Sequence, residues 1–176
     1  MVFLPEWAIF CYMAKKSFLQ SCPVARTLDL VGERWTLLIV RDLLSGAKRF
    51  QDLQESLQGA APSLLSDRLK TLEAHGLARR DFYSDHPPRA TYALTEKGRE
   101  LGMVVLALGR WGTRHLGGKM ARVTQHQTCG HAVELVHYCP HCEVTLAPGS
   151  IVTVDGPTRQ SRGPRSVPVS PARQAG

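Results

Sequence analysis

The chain has 176 residues, of which 43% are hydrophobic and 7% aromatic, and its formal net charge is +7. This composition indicates a globular domain with an apolar core and room for an appendage, and it does not fit a wholly disordered chain. The basic excess lies mostly in residues 157–176, which contain four arginines and no acid. Net charge alone is therefore weak support for nucleic-acid binding.

Residues 1–21 form an N-terminal segment that begins with the apolar run "MVFLPEWAIFCYM". The run lacks the basic start of a secretory signal and is too short to span a bilayer. Met13 offers an alternative start, so residues 1–12 are suspected to be a mis-called extension. Five cysteines make no even disulfide framework, and the chain is predicted to be cytoplasmic and reduced.

The spacing of apolar residues predicts two helices at the start of the main domain. In "PVARTLDLVG", Val24, Leu28 and Val31 follow helical spacing, and Gly32 offers a stop. The next segment, "RWTLLIVRDLLSG", is apolar over much of its circumference. It is predicted to be a central buried helix that ends at Gly46.

Two further helices follow in the sequence. The segment "RFQDLQESLQG" places Phe50, Leu53 and Leu57 on one stripe. The segment "PSLLSDRLKTLEAHG" has Pro62 in its predicted first turn and Gly76 at its end. The first of these helices, with its "QGAAP" connection, is predicted to be the first half of a helix-turn-helix, and the second is its other half.

A hairpin and a long helix complete the domain. "LARRDFYSD" and "RATYALTEKG" are rich in β-forming residues and flank "SDHPPR", whose prolines cannot sit inside a ladder and so mark a loop. Thr95 is the predicted N-cap of one helix of about five or six turns, up to Leu116. The predicted fold is mainly α with a β-hairpin wing (α+β), the element order of a winged helix-turn-helix.

The fourth helix has an apolar face and a polar face. Leu69 and Leu72 lie within about 40° of Leu65, and the opposite side carries Ser63, Ser66, Asp67, Lys70 and Ala74. Small hydroxyls and a lysine can reach phosphates and base edges in a major groove. A solvated polar face is the plain alternative, since amphipathic helices are common. The basic residues of the hairpin favour DNA: Arg79, Arg80, His86 and Arg89.

Asp67 needs a separate explanation because a carboxylate repels phosphate. It is predicted either to accept a hydrogen bond from a cytosine or to restrain Arg68. The full set of predicted DNA-binding residues is Ser63, Ser66, Asp67, Arg68, Lys70, Arg79, Arg80 and Arg89.

Several blocks of the sequence together resemble the HxlR family of bacterial winged-helix transcriptional regulators. The blocks are "SCPVARTLDLVGERWTLLIVRDLLSGAKRFQDL", "LLSDRLKTLEAHGLARR", "PPRATYALTEKGREL" and "ALGRWG", within residues 22–116. The resemblance implies double-stranded DNA as partner, with Ser63–Lys70 in the major groove and the wing tip near Arg89 on the backbone or minor groove. Family members often carry Ser or Thr where this chain has Ala61, so a helix cap is expected to be missing.

The resemblance also implies a homodimer joined through the N-terminal segment and the long helix after the wing. That helix carries more apolar surface than one small domain readily covers: Met103, Val104, Val105, Leu106, Leu108 and Trp111. The alternative is that all of these residues pack within one chain. Symmetric dimers are the commonest oligomers, which favours the interface.

Cys22 lies at the start of the first helix, where the helix dipole and free N–H groups favour a thiolate. Some HxlR-like regulators resemble this chain here and use the cysteine to sense oxidants or electrophiles. Cys22 is therefore predicted to be a redox-sensing residue. The alternative is that it is a small apolar cap.

A linker at 117–127 precedes a Cys/His segment at 128–156, predicted to be a small zinc-ribbon-like β segment. Its predicted zinc ligands are Cys129, His131, Cys139 and Cys142, and the last two have the C-x2-C spacing of a zinc turn. The C-x-H spacing is closer than usual, so alternative donors remain open, and reduced free thiols are the non-metal alternative. These alternative donors are His126, His137 and His141. The basic tail at 157–176 is predicted to be disordered.

The sequence thus predicts a dimeric regulator that binds an inverted-repeat operator. The alternative is a zinc-stabilised protein-interaction adaptor on a winged-helix scaffold. The sequence has no phosphate-cradling glycine loop, nucleophile elbow, H-E-x-x-H motif or zinc deaminase signature. No catalytic residue and no enzyme activity are therefore expected.

Overall fold

The computed structural model describes residues 17–86, 88–119 and 122–153. The predictions for residues 1–12 and for the basic tail at 157–176 lie outside these described residues. The chain divides into two compact units, Met1–Val133 and Glu134–Gly176, and each is described by itself. The boundary falls inside the segment 128–156 that the sequence analysis treats as one piece.

Six helices occur in the described part of the first unit, and the four predicted before the wing are confirmed. Helix α2 is the central one, with Ile39 and Val40 fully buried. The helices are α1 Pro23–Val31, α2 Thr36–Leu43, α3 Phe50–Ser56, α4 Pro62–Ala74, α5 Glu96–Glu100 and α6 Gly102–His115. None of the helices in the described residues has the length and apolar character needed to cross a membrane.

The helix predicted after Thr95 is divided in two. Thr95 is the N-cap as predicted, since its side chain accepts a hydrogen bond from the Gly98 N–H at 3.1 Å. The break lies at Leu101, which ends α5 and precedes α6. Gly98 and Gly102 have low helix propensity, and the backbone at Gly98 approaches the carbonyl of Leu77 so closely that no side chain would fit. The close packing of Gly98 against Leu77 is therefore kept, and the predicted single helix is interrupted.

The wing is an antiparallel hairpin, as predicted, made of β2 Ala78–Asp85 and β3 Pro88–Leu94. Pro88 is paired as the first residue of β3, so the prediction that both prolines lie in the loop is wrong for Pro88. The first position of a strand tolerates proline. A two-residue strand, β1 Lys48–Arg49, pairs with β3 to give the order β1-β3-β2. Two residues are too few for a periodic signal, and β1 was not predicted.

The core of the first unit is formed by α2, the helix-turn-helix and the base of the wing. Its largest buried apolar side chains are Ile39, Val40, Leu53, Leu65, Leu69, Leu72 and Leu94. Burying each such side chain contributes about 1.5–3 kcal/mol. Helix α1 differs, because Ala25 and Val31 are buried while Val24 and Leu28 are exposed.

The second unit contains a short antiparallel hairpin around its cysteines. Strand β4 His137–Cys139 pairs with β5 Val144–Leu146, and a 3-10 turn follows at Pro148–Ser150. These are the short strands predicted for this segment. The described side chains of this unit are exposed or only half-buried.

Candidate nucleic-acid interface

Helix α4 has no side-chain cap at its start and is held by neighbouring side chains at its end. At its start, Ala61 has an extended backbone and makes no side-chain cap, which confirms the expected missing cap. At its end, Lys97 Nζ donates to the His75 carbonyl at 2.9 Å, and Thr95 Oγ1 donates to the Gly76 carbonyl at 2.7 Å. Gly76 has φ +65°, a conformation that favours glycine, and it turns the chain into the wing.

The two faces of α4 are separated as predicted. Leu65, Leu69 and Leu72 are buried in the core. On the opposite side, Ser63, Asp67, Lys70 and Ala74 are exposed, and Ser66 is half-buried. The described residues therefore leave the hydroxyl-and-lysine face open to solvent. We call Ser63, Ser66, Asp67 and Lys70 the reading face.

The structure corrects the assignment of Arg68 to DNA contact. Arg68 is only 7% exposed, and its Nη2 donates to Glu33 Oε2 at 2.9 Å. Position 68 lies about 60° around the helix from Leu65, so its side chain runs along the edge of the core rather than outward. Its partner is Glu33, before α2, and not Asp67. The sequence held no signal for this pair, which is separated by 35 residues.

The connection between α3 and α4 is a tight turn. Leu57 ends α3 and is buried, and the Ala60 N–H donates to its carbonyl at 3.0 Å. Gly59 has φ +91°, so a glycine suits this turn. At the other end of α3, Asp52 accepts from the Arg49 N–H at 2.9 Å. This arrangement fixes the angle at which the reading face is presented.

The wing carries the three predicted arginines, all exposed. Arg79 Nε pairs with Asp81 Oδ2 at 2.9 Å, and both side chains are about half-exposed. Arg80 lies over the Phe82 ring at 4.7 Å. An exposed ion pair contributes little to stability, so Arg79 can exchange its partner for a phosphate at little cost. Arg89 is exposed near the tip of the wing.

The flank of α4 that faces the wing contains a half-buried carboxyl, Glu73. Burial raises the pKa of Glu73, while the positive charges of Arg80 and Lys70 act in the opposite direction. Burial also raises the pKa of Tyr92, again opposed by Arg80. The positive charge of Arg80 therefore acts on two titratable groups, Glu73 of α4 and Tyr92 of the wing.

A second exposed surface is apolar. Of the six apolar residues noted in the long helix, only Leu106 is buried; Met103, Val104, Leu108 and Trp111 are exposed. On α1, Val24 and Leu28 are exposed as well. The described residues of the chain thus leave these side chains uncovered, which is unusual for a surface without a binding role. We call the exposed apolar residues of α6 the α6 patch.

Cys22 is the N-cap residue of α1 and is exposed. Its thiol makes no capping hydrogen bond of ordinary geometry, but the backbone N–H groups of Ala25 and Val24 lower the pKa of Cys22. The preceding segment is fixed to the helix, because Asp29 accepts from the Phe18 N–H at 2.9 Å. This is the environment that the sequence analysis expects of a reactive thiol.

The predicted metal ligands lie in both compact units. In the first, Cys129 Sγ is 3.2 Å from Nδ1 of His126, a residue the sequence analysis kept only as an alternative donor. In the second, the backbone N–H groups of Cys142 and His141 lower the pKa of Cys139, whereas hydrogen bonding to Cys139 raises the pKa of Cys142. Within the described ranges, no three His, Cys, Asp or Glu side chains are grouped closely enough to hold a metal ion.

Residues 30–120 match the HxlR-like helix-turn-helix family, which is more than half of the chain. The chain belongs to this family. The HxlR-like match covers the described elements from α2 to α6, including the wing, and it overlaps residues 30–116 of the resemblance. The chain is therefore an HTH-type transcriptional regulator, as its relatives are named.

Relatives of this HxlR protein extend the comparison. An uncharacterised HTH-type transcriptional regulator of Mycobacterium tuberculosis is 39% identical over 137 residues, which is 76% of this chain and 85% of the relative. The solved structure of PA1607, a proposed transcription factor, is 31% identical and has a TM-score of 0.64, covering 78% of this chain and 97% of that one. Both similarities continue outside residues 30–120.

The redox regulator HypR in its oxidised form is also similar to this HxlR protein. It is 35% identical, with a TM-score of 0.51, and the match covers 53% of this chain and 97% of HypR. The likeness to HypR thus concerns about half of the present chain.

Proposed function

We propose that this HxlR protein is a homodimeric, sequence-specific regulator that binds an inverted-repeat operator in the cytoplasm. The observation that carries the proposal is the reading face, which is exposed on a helix whose opposite side is buried and whose C-terminal end is fixed by Thr95 and Lys97. A helix presented in this way can enter a major groove without rearrangement. Two such helices related by a two-fold axis would read half-sites about one helical turn apart.

Each residue of the reading face has a role suited to its chemistry. Ser63, Ser66 and Lys70 donate hydrogen bonds to phosphates and base edges, and the serines are small enough to permit close approach. Of the two roles predicted for Asp67, restraint of Arg68 is not needed, because Arg68 pairs with Glu33. Asp67 therefore accepts a hydrogen bond from the amino group of a cytosine. The wing residues Arg79, Arg80 and Arg89 contact the sugar-phosphate backbone and add affinity that depends on salt.

We assign the α6 patch to the dimer interface. Its exposed residues are apolar, and covering them by a second copy would remove that surface from water. Val24 and Leu28 on α1 are exposed apolar residues of the same kind. The described part of one chain leaves these apolar residues exposed. A homodimer in which they are covered explains why they are apolar.

We further propose that Cys22 responds to oxidants or electrophiles. Support comes from its exposed position at the start of α1, from the N–H groups that lower its pKa, and from the likeness to HypR. A thiolate reacts faster than a thiol, so such a position is a suitable target for modification. Modification at this end of α1, the helix that exposes Val24 and Leu28, would alter the proposed dimer.

The experiment that tests the proposal measures DNA binding by fluorescence anisotropy on an oligonucleotide selected from a random pool. We expect tight, salt-sensitive binding that exceeds binding to random duplex by about 1,000-fold or more. Lys70→Ala should weaken binding, while the matched control Lys119→Ala, on the segment after α6, should not. Weak binding without sequence preference would overturn the proposal and favour the adaptor alternative.

A further inference from the structure

The wing exposes two adjacent aromatic side chains, Phe82 and Tyr83, each more than half accessible to solvent. The pairing of β2 with β3 is irregular at this point. Phe82 pairs with Ala90 and Ser84 pairs with Arg89, so Tyr83 is an extra residue between two pairs. A β-bulge of this kind bends the strand and redirects a side chain. The alternation of the strand therefore does not by itself set the direction of Tyr83.

The Tyr83 ring lies beneath the side chain of Arg49, a residue of a different strand. The central carbon of the Arg49 guanidinium is 5.9 Å from the centroid of the Tyr83 ring. Arg49 belongs to β1, which forms the opposite edge of the sheet from β2, and it directly precedes α3. The contact therefore spans the sheet and connects the wing to the first helix of the helix-turn-helix.

A second arginine lies on the same face of this sheet as Arg49. Arg49 and Asp81 both pair with Thr91, from the two sides of β3. Arg79 is two residues before Asp81 and forms an ion pair with it. Residues that pair across strands, or that are two apart in one strand, share a face. This face therefore carries two exposed arginines, and among the described residues the Arg49 guanidinium has no ion-pair partner.

An arginine that lies over an aromatic ring is prepared to bind a phosphate. The ring attracts the guanidinium and restricts the rotamers of a long side chain, so less conformational entropy is lost on binding. The N–H groups in the plane of the guanidinium can still form two parallel hydrogen bonds to phosphate oxygens. The positive charges of Arg49 and Arg79 are complementary to duplex DNA, whose backbone carries a negative charge at every phosphate.

We propose that Arg49 is a further DNA-contacting residue, which binds a backbone phosphate, and that Tyr83 is a positioning residue, which holds the Arg49 side chain ready for this contact. The sequence analysis assigned neither residue to DNA. The inference rests on the proposed function, because it concerns binding of the same operator. In this arrangement β1 and the bulge of β2 act together, so that the wing and the helix-turn-helix bind one stretch of DNA backbone.

The test measures the DNA affinity of full-length variants on the selected operator at several salt concentrations, with urea unfolding in parallel. Arg49→Ala should weaken binding and reduce the slope of log affinity against log salt by about 1, because one phosphate contact is lost. Tyr83→Ala should weaken binding by about two- to fivefold and leave the slope unchanged. Tyr83→Phe keeps the ring and should bind like the wild type.

A double variant distinguishes a ring that positions Arg49 from a ring that contacts DNA itself. In the Arg49→Ala background, Tyr83→Ala should cause no further loss of affinity, because the ring then has no guanidinium to hold. An undiminished further loss would overturn the positioning role. Arg49→Lys keeps the charge without the planar guanidinium, so it should retain the salt slope and lose affinity, which keeps the test decisive if Arg49→Ala folds poorly.

The same series separates this inference from the proposed function. If Lys70→Ala weakens binding while Arg49→Ala leaves both affinity and salt slope unchanged, the phosphate contact is wrong and the proposed function stands. A wild type without sequence preference would contradict both.

Discussion

Arg68 of α4 and Glu33 of the loop before α2 form an ion pair, with Nη2 and Oε2 2.9 Å apart. The guanidinium is almost fully buried, while the carboxylate is about one third exposed. The pair connects the helix that carries the reading face to the loop that begins the central helix. We therefore expect Arg68 to be a positioning residue, which sets the orientation of α4 rather than contacting DNA.

Replacing Arg68 should distinguish a residue that positions α4 from a residue that contacts DNA. Arg68→Met leaves Glu33 without this partner and should reduce the free energy of unfolding by about 1–3 kcal/mol. Its DNA affinity should fall, but the slope of log affinity against log salt should stay the same because no phosphate contact is lost. Lys70→Ala should reduce that slope by about 1. Titrations at several salt concentrations distinguish the two, and an equal loss of slope in Arg68→Met would contradict the positioning role.

A new helix cap should stabilise the protein. Ala61 has the extended backbone of an N-cap residue but no side-chain acceptor. Ala61→Ser should raise the free energy of unfolding by about 1 kcal/mol, because serine accepts from a free N–H of the first turn. Urea unfolding measures the change, with Ala61→Gly as the comparison. No gain over the wild type would show that α4 does not start at Pro62.

The α6 patch should control the oligomeric state. Leu108→Glu or Trp111→Glu places a charge in the proposed interface and should give a monomer in sedimentation equilibrium. DNA affinity should fall by about 100-fold or more, since two half-sites would no longer be bound together. Val136→Glu, at an equally exposed apolar position in the second unit, is the control. A dimer that persists in both α6 variants would place the interface elsewhere.

The pH dependence of thiol modification should reveal the lowered pKa of Cys22. N–H groups at the start of α1 lower the pKa of Cys22, so its thiolate is populated at lower pH than an ordinary cysteine thiolate. Iodoacetamide labelling followed by peptide mass spectrometry should therefore give a rate profile shifted to lower pH than that of a short reference peptide. A profile at or above the reference would remove the basis for sensing. Oxidants should then weaken DNA binding in the wild type but not in Cys22→Ser.

The sequence predicted the elements whose apolar spacing is local. Leu65, Leu69 and Leu72 repeat over α4, so the buried face and the opposite reading face followed from helical geometry. The wing hairpin and the Thr95 cap were equally local. The family resemblance supplied the arrangement of these elements, which spacing alone does not determine.

The features that the sequence did not reveal depend on contacts between distant residues. Arg68 and Glu33 are 35 residues apart, and the two residues of β1 are ordered only by pairing with β3. Arg122 is a third case, since its Nη1 donates to Ser45 Oγ at 3.0 Å, 77 residues away. No periodic pattern encodes such pairs.

Base preference in a random-pool selection tests the central claim, that the reading face recognises the operator. The wild type should select an inverted repeat, and Asp67→Asn or Ser66→Ala should change the preferred bases at the same positions of both half-sites. Arg89→Ala should weaken binding to all sequences equally, because a backbone contact carries no sequence information. Selection of the same bases by the wild type and by both reading-face variants, or of no preferred bases at all, would contradict the account.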